Sequence, residues 1–579
     1  MKAKITSVAL LLSAALGAQG QYFTKITEGP VATHEGDSRS VNWVDVNNDG
    51  LLDLFISNGP SGGQSNRLYL NSGDGNFTAV TTGDIVSDGE PSDGATFADI
   101  DNDGDLDAFV VNWYNANNML FVNDGSGSFT RVTDGQIVND HGYSETASFG
   151  DYNNDGLVDL YVTNSSGNKR NFLYKNNGAN GFQKITTGGM VTDNGVSRNI
   201  NWTDINNDGM LDIFVTNEEL EHENLYLNDG NEVFTAVTTG DLVNAGENTM
   251  SSSWADYDND GDMDVLLTNF NGFNQLYRND GDMNFTLITT DTIGLSLAYS
   301  FSGAWSDIDN DGDLDLFVTN AFLQGALLNN FLYINNGDGT FSRNNTDPVT
   351  LAQSWSYGAA FGDCDNDGFQ DLAVATCRFD GADPANLIYH NNGNENNWLM
   401  LKLTGTYSNK AAIGARVKIK ATINAAEVWQ MREVSAQSSY CGQNDLRPHF
   451  GLGDATSVDS MIIIWPRGGV QTFGQVETNQ ILEVEEPEEM GIGTAYEWQD
   501  VRIFPNPTAQ YLNISFPTPL TTGAQLKLTD VNGRTVFTKE VGGNNSIHLD
   551  LKKLNISRGT YFLDLKQAKS TLHRKIFFQ

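Results

Sequence analysis

Apolar residues in this chain come in short runs separated by Asn, Asp and Gly, and the runs return in a fixed order. One run carries an aromatic, in turn Trp43, Phe97, Phe149, Trp202, Trp254, Trp305 and Phe361, and an acidic turn begins two residues later. A β-rich run such as Leu54-Phe55-Ile56 or Leu316-Phe317-Val318 follows. Another appears at Asn66–Asn71, Asn224–Asn228 and Asn330–Asn335, and a turn rich in Asn, Gly and Asp then leads to Phe77–Val80, Phe129–Val132 or Phe285–Ile288. Runs of this kind bounded by turn formers predict four short strands per unit. The first aspartate of the acidic turn falls at Asp45, Asp99, Asp151, Asp204, Asp256, Asp307 and Asp363, at intervals of 54, 52, 53, 52, 51 and 56 residues. A period near this length indicates a solenoid or a propeller, and four-stranded units repeated radially are propeller blades. The seventh unit ends at Asn386–Asn394 without a fourth strand, while Phe23–Ile26 carries the missing pattern. An N-terminal strand is therefore expected to close the last blade of an all-β, seven-bladed β-propeller over residues 21–395.

The acidic turns repeat at the level of single atoms. Their positions one, three, five and nine hold Asp45, Asn47, Asp49 and Asp53; Asp99, Asp101, Asp103 and Asp107; Asp151, Asn153, Asp155 and Asp159; and Asp204, Asn206, Asp208 and Asp212. The last three copies hold Asp256, Asp258, Asp260 and Asp264; Asp307, Asp309, Asp311 and Asp315; and Asp363, Asp365, Asp367 and Asp371. Position six is always Gly, which permits a sharp curl around a centre. Hard oxygen ligands in such a curl suit Ca²⁺ better than Mg²⁺, which demands stricter octahedral geometry. Position seven varies from Leu51 to Asp105 to Phe369, as expected if it serves through its carbonyl. Position twelve is Ile56, Val110, Val162, Val215, Leu267, Val318 or Val374, within a strand, which excludes a helix-loop-helix site ending on Glu. About seven structural Ca²⁺ ions are expected; they would bring the formal charge from −41 to −27.

These loops and their spacing resemble the FG-GAP or VCBS repeats, best known from the propeller of integrin α subunits. The resemblance implies that each calcium loop joins the first two strands of a blade and that all seven lie on one face of the disc. The other face would then carry the connections at residues 59–66, 113–118 and 270–275. Trp113, Tyr114, Phe270, Phe273, Phe322, Trp355 and Tyr357 fall in or near such connections. Aromatic residues there are expected either to contact a protein or glycan ligand or to fill the central channel.

Beyond residue 395 the period stops. Residues 396–484 alternate like strands, and Ile413-Gly414-Ala415-Arg416-Val417, His449-Phe450-Gly451-Leu452-Gly453 and Ile464-Trp465-Pro466 are similar to the ASPIC/UnbV domain found in the cartilage acidic protein family. Ser439-Tyr440-Cys441-Gly442-Gln443 departs modestly from the Gly-Tyr-Leu-Ser-Gln of many relatives. The resemblance implies a small β domain and assigns it no chemistry. An acidic linker at 485–500 leads to a final unit at 501–579. There Pro505-Asn506-Pro507, Asp530-Val531-Asn532-Gly533-Arg534, Gly559-Thr560-Tyr561-Phe562 and the basic ending resemble the C-terminal sorting domain of type IX secretion, a β-sandwich. Residues 1–20 read as a secretory signal peptide, with Lys2 and Lys4 before an apolar stretch and a small-residue exit. Together these imply export by the type IX machinery, to the medium or the outer surface of a Gram-negative bacterium.

Charge narrows the partners. Asp and Glu outnumber Lys and Arg 74 to 33, which argues against nucleic acid and anionic membranes. No later apolar run reaches membrane-spanning length. Cys364, Cys377 and Cys441 are too few and too odd for a disulfide framework; Cys364 and Cys377 could pair or stand as isolated buried thiols. No HExxH, GxSxG or phosphate-cradling loop is present. Three functions remain: a calcium-stabilised adhesion or binding protein, a polymer-processing enzyme that uses the propeller as its platform, and a passive scaffold in the cell envelope. The enzyme would bring His34, His141 and His222, or a carboxylate pair away from the loops, into one pocket.

Overall fold

The computed structural model describes residues 21–487 except 74, 231, 245 and 296, together with most of residues 502–578. The signal peptide, most of the acidic linker and the Pro505-Asn506-Pro507 motif lie outside the described residues.

The repeats form seven antiparallel blades, each running outward from an inner strand. In blade 1 the strands are Ser38–Val44, Asp53–Asn58, Arg67–Asn71 and Phe77–Ala79. The inner strands of the other blades are Ser92–Ala98, Ser144–Gly150, Ser197–Thr203, Thr249–Ala255, Leu297–Ser306 and Ser356–Gly362. In blade 7 the outermost place is taken by Phe23–Ile26, which pairs with Leu387–Asn391 in the register Phe23 to Asn391. The two ends of the propeller, some 370 residues apart in sequence, thus share one sheet, and the ring is closed by hydrogen bonds. Both faces of every sheet are covered by neighbouring blades, so strands such as Asp53–Asn58 are buried at every position. Blades 5 and 6 are also joined at the rim away from the acidic loops, where Asp264–Phe273 extends to pair Phe270 with Tyr299.

Polar residues at strand ends stitch neighbouring blades together. Ser38 Oγ donates to Asn58 Oδ1 at 2.9 Å, Asn66 Oδ1 accepts from Asn58 N at 2.8 Å, and Asn66 Nδ2 donates to Ser92 Oγ of the next blade at 3.2 Å. The third member of this relay is Asn66, Asn118, Asn171, Asn274, Asn330 or Asn386, but Glu223 in blade 4. Glu223 Oε2 accepts from Asn217 N at 2.7 Å, and burial raises this carboxyl from 4.5 to about 8. A carboxyl raised in this way would, when protonated, offer one acceptor and one donor as the amide does.

Residues 397–486 form a second, smaller domain. Its strands His449–Gly453, Asn397–Thr404 and Ile481–Glu485 make one sheet, with Asn397–Thr404 parallel to Ile481–Glu485. Ala426–Glu433, Arg416–Ile423, Ser457–Ile464 and Val470–Phe473 make the other. This domain runs past 484 into residues assigned from sequence to the linker. Glu485 is in a strand, and the buried Glu486 accepts from the backbone N–H groups of Thr406, Tyr407 and Ser408 at 3.0, 2.8 and 2.7 Å. The final domain packs a three-stranded sheet against a four-stranded one around Leu512, Leu526, Leu563 and Ile576. All three cysteines are free and buried, so Cys364 and Cys377 do not pair.

Because its folded pKa is raised, Glu223 contributes stability below pH 4.5 that is lost as pH climbs through about 8. Glu223→Gln supplies the donor at every pH. It is expected to raise the melting temperature, with a gain that grows between pH 5 and pH 8; a pH-independent change would exclude the protonated acid.

Candidate functional site

The acidic loops all leave the inner strands at the same end and form one rim of the propeller. In loop 1, Asp45 accepts from Asp49 N and Gly50 N at 3.1 and 3.0 Å, which curls the backbone. Asp53 accepts from Val46 N and Asn71 N at 3.1 and 2.8 Å, which ties the loop to its blade. The same bonds recur in other copies, for example at Asp151 and Asp363. Position four is Asn throughout, with φ between 54° and 61°, the left-handed region. Its side chain reaches the following loop: Asn102 to Gly156 O, Asn259 to Gly312 O, Asn310 to Gly368 O, and Asn366 back to Gly50 O at 3.1 Å. Asn48, Asn154 and Asn207 likewise reach Asp105, Gly209 and Asp262, so the seven loops form a hydrogen-bonded ring.

The donor set inside each loop fits a hard cation. Carboxylate oxygens of Asp99, Asp101 and Asp107 lie within 4.8 Å of one another, as do those of Asp256, Asp258 and Asp264, of Asp307, Asp309 and Asp311, and of Asp363, Asp365 and Asp371. In loops 1, 3 and 4 position three is Asn47, Asn153 or Asn206, a neutral oxygen donor. Buried oxygens of Asp159, Asp256, Asp258, Asp309 and Asp365 accept no hydrogen bond. Burial lifts the position-nine carboxyls, to about 7 at Asp53 and Asp107, about 8 at Asp212 and about 9 at Asp264. Crowded, desolvated carboxylates with open lone pairs are what an oxygen-liganded divalent cation would satisfy. In loop 7, His390 joins Asp365 and Asp367 as a further possible ligand.

The second domain sits on this rim. Arg416 donates to Asp204 O and to Asn207; Arg447 donates to Asp363 O and Asn366 Oδ1 at 3.1 and 2.9 Å. Gly451 N donates to Asp307 Oδ2 at 3.1 Å, Lys410 N to Asn102 Oδ1 at 2.8 Å, and Lys402 Nζ lies 3.9 Å from Asp45. His449 Nε2–H donates to Gly368 O at 3.1 Å, and burial pushes its imidazole down to about 3.

From this cap a segment, residues 435–445, enters the propeller along its axis and meets every blade. Val41 N donates to Cys441 O at 3.0 Å, and Gly442-Gln443 pairs in parallel with the inner strand of blade 1. Thr96 Oγ1 donates to Ala436 O, Asn201 Nδ2 to Gln437 O, Ser253 Oγ to Ser438 O, and Ser302 Oγ to Ser439 Oγ. Blade 7 contributes Phe361, whose N–H donates to Asn444 Oδ1 at 2.9 Å. Blade 3 contributes Glu145, whose Oε2 accepts from Tyr440 Oη at 2.7 Å. The fit leaves no room: a Cβ on Gly442 would stand 2.2 Å from Ala359 O. Beside the segment, a cavity of about 140 Å³ is lined by Trp254, Gln370, Arg432 and Gln437.

Tyr440 reaches the mouth of the channel opposite the acidic loops. There Arg198 Nη1 lies 2.6 Å from Glu145 Oε1, which also accepts from Trp113 Nε1 at 2.8 Å and from Ser165. Tyr357 Oη lies 3.0 Å from Tyr440 Oη, and Phe301 packs on both rings. The aromatic residues singled out from sequence therefore divide. Tyr357 is buried in the channel, while Tyr114 and Phe273 are 47% and 53% exposed. His34, His141 and His222 do not converge: His34 lies on Tyr69, His141 faces Asn115 O, and no metal-ligating cluster among the described residues contains any of the three. A carboxylate pair does converge, Asp93 and Glu145. Sequence reading missed it, although aligning the seven blades on the residue after the first Ser or Thr of the inner strand brings it out.

Comparison with known proteins agrees with these parts. The FG-GAP-like repeat model matches six times between residues 45 and 374, the ASPIC and UnbV model matches residues 405–490, and the secretion system C-terminal sorting domain model matches 502–579. Cartilage acidic protein 1 of Xenopus tropicalis is 26% identical over 292 residues, 49% of this chain and 44% of that protein. The mouse protein of the same name is 27% identical over 290 residues, 48% of this chain and 43% of its own. The chain thus spans less than half the length of these relatives. Among solved structures, the Dos1 propeller has a TM-score of 0.35 at 12% identity, covering 65% of this chain and 95% of its own. The Vibrio cholerae biofilm matrix protein Bap1 has a TM-score of 0.32 at 12% identity, covering 96% and 84%.

Two outcomes follow for the cap. Gly442→Val should expel the axial segment, exposing 435–445 to limited proteolysis; an unchanged digestion pattern would refute the packing described. Because the folded pKa of His449 is depressed, its contribution is lost as pH falls from about 6.5 toward 3. His449→Gln should flatten the melting temperature over that interval.

Proposed function

Because the chain belongs to the FG-GAP-like repeat family and ends in a secretion-system sorting domain, we propose that this secreted or surface-attached protein is a calcium-stabilised binding module. Its ligand, a protein or glycan, would meet the propeller face opposite the acidic loops, and its home would be the outer surface or surroundings of a Gram-negative bacterium. The observation that carries this reading is the cap: the second domain lies on the loop rim, which leaves the other rim, with Tyr114 and Phe273 exposed, to a partner. Asp45, Asn47, Asp49, Asp53 and their counterparts are then structural ligands rather than a catalytic set. Among the described residues no helix is long and apolar enough to cross a membrane.

The enzyme alternative finds less support. Glycosidic cleavage by two carboxyls needs them about 5 Å or more apart, whereas Asp93 lies against Glu145, and burial together with that neighbour holds its carboxyl well above the usual range. Both oxygens of Glu145 are already occupied by Arg198, Trp113, Ser165 and Tyr440.

Chelation with EGTA is expected to lower the melting temperature by roughly 10 °C or more, restored by added Ca²⁺. An unchanged melt would remove calcium from the account. A screen of the calcium-loaded protein against glycans and surface proteins should yield a ligand whose binding falls at least about tenfold in Tyr114→Ala/Phe273→Ala, roughly 1.4 kcal/mol.

A further inference from the structure

The residue after the first Ser or Thr of each inner strand occupies one equivalent place in all seven blades: Arg39, Asp93, Glu145, Arg198, Met250, Phe301 and Tyr357. The strand beside it is fixed by a Ser–Asn bond across the blade, seen at Ser38–Asn58, Ser92–Asn112, Ser144–Asn164 and Ser197–Asn217. At this place the chemistry changes in arcs. Blades 1 to 4 supply two arginines flanking two carboxyls; blades 5 to 7 supply an apolar and aromatic wall.

The charges of the polar arc are paired internally. Arg39 holds Asp37 at 2.8 Å and lies 3.8 Å from Asp93; Arg198 holds Glu145 and Glu218. Hydrogen-bonding capacity is left over. Asp93 is 5% exposed, yet its Oδ1 accepts from no donor, and the Nε1–H of Trp355 donates to nothing. Both border the Arg39 side chain, whose guanidinium lies 6.0 Å from the Trp355 ring, and the arginine side chains are 16% and 18% exposed. A buried donor and acceptor without partners cost free energy unless something meets them. What fits is a guest with both donors and acceptors, no net charge, and an apolar face for the ring wall. A sugar ring has these features.

We infer that the axial mouth opposite the acidic loops is a subsite for one neutral sugar ring, with Asp93 and Trp355 as its hydrogen-bonding partners. This rests on the binding reading above and makes it specific. Tyr440 of the cap, bonded to Glu145, forms the floor. A charged guest is disfavoured, because the two arginines already lie on the four carboxyl groups.

The test uses the full calcium-loaded chain. Saturation-transfer NMR and calorimetric titration are run with glucose, galactose, mannose, fucose and N-acetylglucosamine, and with glucuronic acid and glucosamine as charged counterparts. The expected result is binding of at least one neutral sugar, weakened tenfold or more in both Asp93→Asn and Trp355→Phe. The melting temperature of each variant is measured alongside, since Trp355→Phe removes the N–H and also exchanges the indole for a smaller aromatic ring. Binding that both variants leave intact overturns the subsite but spares the binding reading. Binding of the charged sugars alone, or of a protein partner without any sugar, does the same. Absence of any ligand on this face overturns both.

Discussion

Carboxyl groups crowded at one rim are the constraint around which the molecule is arranged. Each acidic loop buries its first and last aspartates against backbone N–H groups, and the shared curvature brings position three and position five inward. Burial pushes the position-nine carboxyls up, and repulsion from their neighbours adds to it as water is excluded. The protein sets cationic and donor groups against this rim. Arg416 and Arg447 address loop carbonyls as well as carboxylates, and the asparagine at position four passes a hydrogen bond from each loop to the next. Rim, ring closure and cap therefore form one electrostatic unit.

The channel poses a second problem. Inner strands of a propeller turn backbone and small side chains toward the axis, and buried polar groups need partners. Residues 435–445 meet this need with polar side chains and carbonyls. Its carbonyls accept from Thr96, Asn201 and Ser253, and the side chains of Ser439 and Gln443 bond Ser302 and the backbone of Phe97. Apolar residues at 439 and 443 would have left Ser302 Oγ and the inward-facing backbone groups of Phe97 unpaired.

Much of this was legible in the sequence, for identifiable reasons. Seven copies averaged out local ambiguity, so the strand pattern, the loop chemistry and the lone fourth-strand motif at Phe23–Ile26 could be read directly. The axial segment could not. Its polarity imitates a surface loop, and burial of polar residues becomes visible only when the opposing strands are in place. The asparagine at position four marks a turn in every copy, but its bond to the following loop depends on curvature that no single repeat encodes. Glu223 shows the opposite case, where a break in the asparagine series is visible in the sequence but its meaning, a neutral acid standing for an amide, needs the burial.

Repetition itself indicates where specificity has to lie. A site present seven times by near-symmetry can hold seven equal ions, but it cannot tell one partner from another by its shape. Recognition requires positions where the copies differ while the backbone does not. The four ligand positions of the acidic rim vary only between Asp and Asn at position three, whereas the axial position ranges over Arg, Asp, Glu, Met, Phe and Tyr beside a Ser or Thr that every blade keeps. Side chains there project from rigid, fully paired strands rather than loops, so their mutual geometry is fixed before any ligand arrives, and the cost of ordering a site on binding is already met by folding. The symmetric rim thus stabilises the disc, and the broken symmetry at the other end of the same strands gives the ring a direction and a chemistry of its own.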